Sequence, residues 1–152
     1  MKNKCLIVRG LPGSGKSTIA KQLAEIYDAT HIESDMYFVD DDGKYNFEID
    51  LIQNAHNWCQ DEFRRLFHEG KNIIISNTFT KVWEATYYFE WNKMVENKDE
   101  MYEMLVMTQT EDYGSIHGVP EATMKRMAAR FQSHEYFCDY FGVNGMITME
   151  NV

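Results

Sequence analysis

Apolar residues along the chain follow two patterns. Cys5 to Val8 and Ile73 to Ile75 are continuous apolar runs, which are typical of strands buried on both faces of a parallel sheet. In other segments apolar residues recur every three or four positions, the spacing of one face of a helix. Strand and helix patterns alternate throughout, which predicts an α/β fold.

The alternation predicts four strands and four helices. The strands cover residues 5–8, 30–34, 73–75 and 102–108, and the helices cover about 16–27, 50–69, 80–97 and 120–134. Right-handed crossovers between parallel strands bring the carboxyl ends of the strands to one edge of the sheet. We therefore expect Gly10 to Ser17, Asp35 and Asn77 at that edge. The predicted apolar stripes are Ile19, Ala20, Leu23, Ala24 and Tyr27 in the first helix and Ile52, Ala55, Cys59, Phe63, Leu66 and Phe67 in the second.

The segment between the first strand and the first helix carries a phosphate-binding motif. Its sequence RGLPGSGKST, residues 9–18, fits G-x-x-x-x-G-K-[ST] at Gly10, Gly15, Lys16 and Ser17. A glycine-rich turn of this kind aims backbone N–H groups at phosphate oxygens, and the helix that follows points its positive end at the anion. In this motif the lysine contacts the outer phosphates of a nucleotide such as ATP, and the serine hydroxyl binds Mg²⁺. The predicted nucleotide-binding residues are Gly10, Leu11, Pro12, Gly13, Ser14, Gly15, Lys16, Ser17 and Thr18.

Length and composition limit what surrounds this motif. The chain has 152 residues, of which 44% are hydrophobic, enough for one domain over residues 1–152 with little room for a second. The first apolar run is too short for a signal sequence or a membrane span, so we expect a cytoplasmic protein without a membrane partner. Cys5, Cys59 and Cys138 are odd in number and far apart, which indicates reduced core thiols.

The charge of the chain restricts its partners. A net charge of −9 argues against general binding of nucleic acids, since that affinity comes from lysine and arginine on many phosphates. Local capture of one strand end is still compatible with this charge. The acidic run Asp40 to Asp42 lacks the ligand spacing of a calcium loop and predicts a solvated turn.

Asp35 follows the second predicted strand and is a candidate general base. At the carboxyl edge of the sheet its carboxylate would face the γ-phosphate across from Lys16. A hydroxyl that attacks a phosphate needs a proton acceptor within hydrogen-bond reach, and one carboxylate suffices. The alternative is that Asp35 is a helix cap or turn residue.

The third predicted strand ends without the usual acid. P-loop enzymes often place a carboxylate there that helps to hold Mg²⁺, whereas this chain has Ser76 and Asn77. Three explanations stay open at this point. Metal binding rests on Ser17, the phosphates and water, or Asp35 assists, or the chain has lost activity.

Several motifs together resemble those of polynucleotide 5′-hydroxyl kinases and their small P-loop relatives, often catalogued as AAA-type ATPases or predicted kinases. The resemblance extends from about Cys5 to Phe131. It implies ATP-dependent phosphoryl transfer, with Lys16 on the phosphates, Ser17 on Mg²⁺ and Asp35 as the base that deprotonates the acceptor hydroxyl. Besides the phosphate loop, the motifs are ESDMYF at 33–38, DGKYNF at 42–47, AHNWCQ at 55–60, IIISNT at 73–78 and HGVP at 117–120.

The resemblance also implies a helical lid at about residues 110–135. Relatives carry an arginine before the H-G-V segment, where this chain has Tyr113, Gly114 and Ser115. Arg126 and Arg130 lie four residues apart on one face of the predicted last helix. They are either catalytic cations that neutralise the transferring phosphate or a solvated basic face.

Two groups of aromatic and imidazole residues have both a packing and a binding interpretation. His56 and Trp58 lie on the second predicted helix, where such residues more often pack than bind. A cluster on the third helix could stack bases, but without a basic groove it favours helix core and an interaction face. The cluster comprises Trp83, Tyr87, Tyr88, Phe89 and Trp91.

The sequence therefore predicts a three-layer P-loop kinase-like α/β fold with a helical lid, which moves the γ-phosphate of ATP to a hydroxyl with Mg²⁺. A polynucleotide 5′-hydroxyl end is the favoured acceptor. A nucleoside or sugar kinase, and a non-catalytic ATP-binding module, are the alternatives. The oligomeric state is not predicted.

Overall fold

The computed structural model describes residues 2–114 and 118–148. Five strands in these ranges form one sheet in the order β2-β3-β1-β4-β5, and every pairing is parallel. β1 therefore lies at the centre of the sheet. The strands are β1 Lys4–Arg9, β2 Ala29–Ile32, β3 Asn72–Asn77, β4 Glu103–Gln109 and β5 Gly145–Thr148.

Helices cover both faces of this sheet. The helices are α1 Lys16–Ile26, α2 Ile52–His68, α3 Thr86–Lys93, α4 Glu121–Arg130 and α5 His134–Phe141, with short 3₁₀ helices at Ser34–Phe38, Ile49–Leu51, Val82–Glu84 and Lys98–Glu100. α1 packs with Ala20 on a small core that includes Val8 and Ile74. α2, α3 and α5 contribute to the larger core on the opposite face. These three layers confirm the predicted α/β architecture.

Alternating side chains of the strands enter the two cores. Ile7 and Ile75 lie in the larger core, whereas Val8 and Ile74 lie in the smaller one beneath α1. The register pairs Val8 with Ser76 and Arg9 with Asn77. The carboxyl ends of β1 and β3 therefore meet at one edge, as predicted.

Several predicted boundaries are wrong. β2 ends at Ile32, and Ser34 lies in a 3₁₀ helix instead of the strand. The predicted helix 80–97 is a 3₁₀ turn followed by the shorter α3, because the Asn92 side chain bonds the backbone N–H and carbonyl of Tyr102 and turns the chain back into the sheet. The predicted helix 120–134 ends at Arg130.

The sequence analysis also missed α5 and β5. Ser133 caps the amino end of α5 by accepting a hydrogen bond from the Tyr136 amide, and Gly142 ends the helix in the left-handed conformation. β5 has only four residues and extends the sheet beside β4. Such a short strand depends on pairing with its neighbour more than on its own pattern.

Two residues of the predicted apolar stripes are exposed. Tyr27 lies just beyond α1 and is 65% exposed, and Ile52 at the start of α2 is 38% exposed. The three cysteines are free and buried, as predicted. In the described part of the chain, no helix has the length and apolar character needed to cross a membrane.

A buried arginine joins the sheet to the segment between α4 and α5. Arg9 is fully buried at the end of β1 and donates to the carbonyl oxygens of Phe79 and Gln132 at 3.0 and 2.7 Å. Its guanidinium lies 4.2 Å from the ring centres of both Phe131 and Phe137. Burial lowers the pKa of Arg9 to about 10, so the group stays charged at neutral pH.

Candidate active site

The loop between β1 and α1 has the backbone form that phosphate binding requires. Gly13 and Gly15 both have φ of 84°, in the left-handed region that strains residues with a side chain. Gly15 is the N-cap of α1, and the Ile19 amide donates to its carbonyl oxygen at 3.0 Å. The loop therefore runs directly into the amino end of α1, where backbone N–H groups and the helix dipole favour an anion.

The loop is also tightly packed. A Cβ atom at Gly10 would collide with Ser14 Oγ and would lie 3.0 Å from the carbonyl oxygen of Gln109, so only glycine fits there. Among the described residues, Ser14 Oγ is the one buried side-chain oxygen or nitrogen without a hydrogen-bond partner. Such an atom is costly unless a partner is present. This hydroxyl and the left-handed glycines fit a phosphate group bound in the loop.

The Lys16 ammonium lies in the field of two carboxylates. Burial lowers the pKa of Lys16, and the negative charges of Glu33 and Asp35 oppose that shift. The bonds of Glu33 to Ser17 and of the Ser34 amide to Asn77 place the segment that carries Asp35 at the same edge of the sheet as the phosphate loop, as predicted. The arrangement has one cation and two anions around the position where the motif holds the outer phosphates.

Ser17 is bonded to a carboxylate that the sequence analysis did not single out. Its hydroxyl donates to Glu33 Oε2 at 2.6 Å, and the Ser76 hydroxyl donates to the same oxygen at 2.9 Å. His31 Nε2 lies 2.6 Å from Ser76 Oγ, which completes a polar row beside α1. Burial lowers the pKa of His31, while the charge of Glu33 opposes the shift.

The Ser17 hydroxyl and the Glu33 carboxylate are oxygen ligands of the type that Mg²⁺ prefers. In the described residues, no group of three or more His, Cys, Asp or Glu side chains is arranged to hold a metal ion. Mg²⁺ is ordinarily held by one or two carboxylates together with substrate phosphates and water, so it does not need such a cage. Ser17 Oγ and its neighbouring carboxylate therefore fit the ion.

Asp35 lies in the first turn of the 3₁₀ helix Ser34–Phe38 and is bonded to a tyrosine. Tyr45 Oη donates to Asp35 Oδ1 at 3.2 Å. Burial, the charge of Asp35 and this hydrogen bond raise the pKa of Tyr45 to about 12. Tyr45 is thus a neutral donor at physiological pH, and the carboxylate is the proton acceptor of the pair.

Side chains from β3 and α2 hold the segment that carries Asp35. Asn77 Oδ1 accepts a hydrogen bond from the Ser34 amide at 2.9 Å. His56 Nδ1 lies 3.1 Å from Ser34 Oγ. His56 is therefore placed beside the site through Ser34, while Trp58 packs against the larger core.

Aromatic side chains surround this segment on its outer side. The ring centres of Phe38 and Phe47 are 5.1 Å apart, and Tyr45 and Phe47 are stacked at 6.5 Å. Phe47 is 50% exposed.

The adjoining acidic turn is closed by Asp40, whose carboxylate accepts hydrogen bonds from the amides of Asp42 and Lys44. The solvated turn predicted here is confirmed.

The aromatic cluster predicted on the third helix divides between core and surface. Tyr88 and Phe89 are buried in the larger core. Tyr87 stacks on Trp91 at 6.3 Å, and both are partly buried against that core. Trp83 is 71% exposed. The prediction of helix core is therefore confirmed for Tyr88 and Phe89, and the predicted interaction face stays a prediction.

Tyr113, which precedes α4 in the chain, contacts the phosphate loop. The Tyr113 amide donates to the Gly13 carbonyl oxygen at 2.7 Å, and a Cβ at Gly15 would lie 3.0 Å from the Tyr113 ring. Ser115 and His117, named in the sequence analysis, lie outside the described residues. Arg126 donates to Thr123 on its own helix at 3.1 Å.

Arg130 has a different contact from Arg126. Its Nε donates to Thr80 Oγ1 at 3.2 Å, and that hydroxyl donates to Glu84 Oε2 at 2.6 Å. α4 has no fully buried residue, and these polar contacts, together with the bond from Arg9 to the Gln132 carbonyl, help to attach this region to the rest of the fold. The two arginines are thus held by different partners, one on α4 itself and one beyond β3.

Glu33 and Tyr45 are the residues of the site that the sequence analysis did not assign. Both lie inside motifs that it quoted, ESDMYF and DGKYNF. Glu33 directly follows β2, which is the position that brings a side chain to the carboxyl edge. Tyr45 is brought to Asp35 by a turn in which Val39 and Tyr45 pair antiparallel, a contact with no local sequence signal.

A parallel sheet whose central strand ends in a glycine-rich phosphate loop defines a P-loop nucleotide-binding protein. The chain belongs to the AAA domain family, whose model matches residues 6–134. Membership in this family and the phosphate loop imply that the chain uses a nucleotide. ATP is the nucleotide that kinases of this fold use.

Known proteins share part of their sequence or their fold with this chain. NEDD4-binding protein 2 of Homo sapiens is 29% identical over 136 residues, which cover 84% of this chain and 8% of that protein. A chain of the Pnkp1/Rnl/Hen1 RNA repair complex superposes with a TM-score of 0.63 at 16% identity, over 91% of this chain and 46% of that one. A gluconokinase from Sinorhizobium meliloti 1021 has a TM-score of 0.53 at 14% identity, over 94% of this chain and 81% of the enzyme.

These similarities differ in extent. The chain spans about 8% of the length of the human relative and less than half of the matched repair-complex chain. At 14–16% identity the two structures share the fold with this chain. The shared fold by itself therefore does not decide the phosphate acceptor.

Proposed function

We propose that this chain transfers the γ-phosphate of ATP to a hydroxyl group, and that the acceptor is the 5′-hydroxyl end of a polynucleotide. The observation that carries the proposal is the placement of Asp35: it lies two residues after Glu33, which bonds Ser17 of the phosphate loop, and its negative charge acts on the Lys16 ammonium. A proton acceptor beside the phosphate-binding cation is the minimum that phosphoryl transfer to a hydroxyl requires.

The residues then have distinct roles in the transfer. The loop from Gly10 to Thr18 holds the phosphates through its backbone, and Lys16 contacts the outer ones. Asp35 accepts the proton as the hydroxyl oxygen attacks the γ-phosphorus and the bond to the ADP oxygen breaks. Tyr45, by donating to Asp35, keeps the carboxylate oriented. Mg²⁺ would be held at Ser17, where it neutralises charge on the phosphates.

The chain from about residue 110 to 135 is proposed to act as a lid on a single domain of residues 1–152. Tyr113 already bonds the phosphate loop, which supports closure at this point. Arg126 and Arg130 are the two candidates for the cation that α4 would bring to the transferring phosphate. Of the two, Arg126 bonds only its own helix among the contacts described, so its movement breaks fewer tertiary contacts.

A nucleic-acid end is favoured by the aromatic surface next to the proposed base. Phe47 is half exposed, and it stacks with Tyr45, which bonds Asp35. The exposed Phe47 ring, next to the residue that bonds Asp35, is placed to stack on the nucleobase of the nucleotide that carries the acceptor hydroxyl. The similarity to a chain of an RNA repair complex also supports this choice.

A small hydroxyl-bearing metabolite is the second candidate acceptor. The net charge of −9 and the acidic turn at Asp40 to Asp42 favour it, because they repel a long polyanion. The similarity to a gluconokinase over most of both chains also supports a small-molecule acceptor. A chain that binds ATP without transferring phosphate would instead be a binding module.

The test compares kcat/KM for DNA and RNA oligonucleotides with a 5′-hydroxyl against nucleosides and sugars. A polynucleotide kinase is expected to prefer the oligonucleotides. Phe47→Ala is expected to lower kcat/KM for oligonucleotides about 5- to 150-fold, the equivalent of losing about 1–3 kcal/mol of base stacking. Trp83→Ala removes an aromatic side chain of 71% exposure elsewhere and is the matched control.

The outcome separates the candidates. Preference for a sugar or nucleoside, with Phe47→Ala and Trp83→Ala behaving alike, would move the assignment to a small-molecule kinase. Binding of ATP with no transfer to any of these acceptors would reject the kinase proposal.

A further inference from the structure

We propose that Glu33 supplies the carboxylate of the magnesium site, in place of an acid at the end of the third strand. This inference rests on the proposed use of Mg²⁺–ATP, and it concerns which residue holds the ion. β3 ends in Ser76 and Asn77, so the end of this strand offers no carboxylate to a magnesium ion. A serine hydroxyl alone is a weak ligand for a hard dication, which prefers at least one carboxylate.

The contact between Glu33 and Ser17 is the first observation. Ser17 is the residue whose hydroxyl binds the ion in this motif, and it donates to Glu33 Oε2 at 2.6 Å. Two oxygens so close together can serve as adjacent ligands of one ion, or hold one ion through a shared water. The Glu33 side chain is only 14% exposed, so its position is defined by packing and not by free movement in solvent.

The register of the sheet explains how a side chain from β2 reaches the loop. β3 lies between β2 and β1, and Ile32 is paired with Ile75, so Glu33 comes next to Ser76. Ser76 in turn is paired with Val8 of β1, which runs into the loop. A short serine on β3 leaves space for the longer glutamate to extend across it toward Ser17. An acid from the next strand thus reaches the place that an acid on β3 would fill.

Two further side chains orient the carboxylate. The Ser76 hydroxyl has one proton and donates it to Glu33 Oε2 at 2.9 Å. His31 Nε2 lies 2.6 Å from Ser76 Oγ, so the ring nitrogen must be the donor of that hydrogen bond. Ser76 and His31 are therefore positioning residues. Partners of this kind are typical of metal-binding carboxylates.

The test measures Mn²⁺ binding to the protein in the presence of ADP, from the electron paramagnetic resonance signal of free Mn²⁺. Glu33→Gln is expected to weaken Mn²⁺ binding about 10- to 100-fold. ADP binding without a metal is expected to change little. Glu25→Gln removes an exposed carboxylate from α1 and is the matched control.

Moving the carboxylate provides the sharper test. Glu33→Ser weakens Mn²⁺ binding as Glu33→Gln does, and adding Ser76→Asp in the same chain is expected to restore most of it, because the acid returns to the same place from β3. Where Glu33→Gln or Glu33→Ser does not fold, Glu33→Asp is used, since it keeps the charge and withdraws the carboxylate by one methylene. The Glu33→Asp variant is expected to bind Mn²⁺ at least about tenfold more weakly than the wild type does.

Wild-type affinity for Mn²⁺–ADP in any folded Glu33 single variant would overturn the inference. So would failure of Ser76→Asp to restore binding to a folded double variant. Failure of the proposed function has a different result: wild-type protein binds Mn²⁺–ADP through Glu33 but transfers no phosphate. A wild type that binds no Mn²⁺ with ADP would overturn both.

Discussion

Asp35 is held by a neutral phenol and lies near a cation. Tyr45 donates to its carboxylate, and burial with the charge of Asp35 raises the pKa of Tyr45 to about 12. The phenol therefore stays protonated wherever a kinase works near neutral pH. It can fix the carboxylate without competing for the proton of an acceptor hydroxyl. Because Tyr45 stays protonated and Asp35 is left to accept a proton, we assign the role of general base to Asp35.

Asp35→Asn is expected to keep ATP affinity within a few-fold and to reduce phosphate transfer on the order of a hundredfold or more, because the amide cannot accept the proton. Calorimetric ATP titration and single-turnover transfer rates measure the two effects separately. Tyr45→Phe, which keeps the carboxylate and removes one hydrogen bond, is the comparison and should cost about tenfold or less. Equal losses of binding and transfer in Asp35→Asn would make Asp35 a structural or metal-binding residue.

At the scale of elements, α4 differs from the other helices. It contains no buried residue, whereas α2 and α5 contribute side chains to the larger core. The hydrogen bonds that attach it to the sheet side lie at its carboxyl end, where Arg130 bonds Thr80 and where Arg9 bonds the Gln132 carbonyl. A helix attached at one end can move relative to the sheet at a lower cost than one packed along its length.

Arg126 is expected to be the cation that this helix brings to the phosphate. Arg126→Ala should lower the single-turnover rate roughly a thousandfold with little change in ATP affinity, the scale of an arginine that acts in the transition state. Arg130→Ala should mainly lower Tm, because its contact with Thr80 attaches the helix. Lys125→Ala removes the neighbouring cation, which pairs with Glu121 on the same helix, and is the control. Near-wild-type rates in both arginine variants would mean that α4 supplies no catalytic cation.

At the scale of the whole molecule, the central part of the fold follows from local patterns. The apolar runs of β1 and β3 and the glycines of the loop are specified by neighbouring residues, and the structure confirms them. The bond from Glu33 to Ser17 could not be predicted in this way, because it depends on the register of β2 against β3. Likewise the end of α3 is determined by the bonds of Asn92 to Tyr102, ten residues further along.

The stability of the whole fold is expected to depend on pH through His134 at the start of α5. Its Nδ1 lies 2.7 Å from Thr108 Oγ1. Burial lowers the pKa of His134 below its ordinary value of 6.5, Glu135 opposes the shift, and the charge of Arg9 adds to it. The Cys138 thiol lies 3.5 Å from Nε2. The unfolded chain therefore binds the proton more readily than the folded chain.

This linkage has a definite sign. The contribution of His134 to stability is complete above about pH 6.5 and is lost as the pH falls toward the lowered folded-state value. Tm measured from pH 7.5 to 5.5 should fall for the wild type, and it should fall less steeply for His134→Gln. Parallel curves for the two proteins would show that His134 does not contribute to the acid dependence.

The central claim is that this chain moves the γ-phosphate of ATP to a hydroxyl. The most direct measurement incubates the protein with γ-labelled ATP, Mg²⁺ and 5′-hydroxyl oligonucleotides alongside sugars and nucleosides, and follows label and ADP together. We predict label on an acceptor in a one-to-one ratio with ADP, and no transfer by Lys16→Ala of unchanged Tm, because that substitution removes a phosphate-binding charge without altering the core. ATP binding with no labelled acceptor, or full transfer by Lys16→Ala, would contradict the claim.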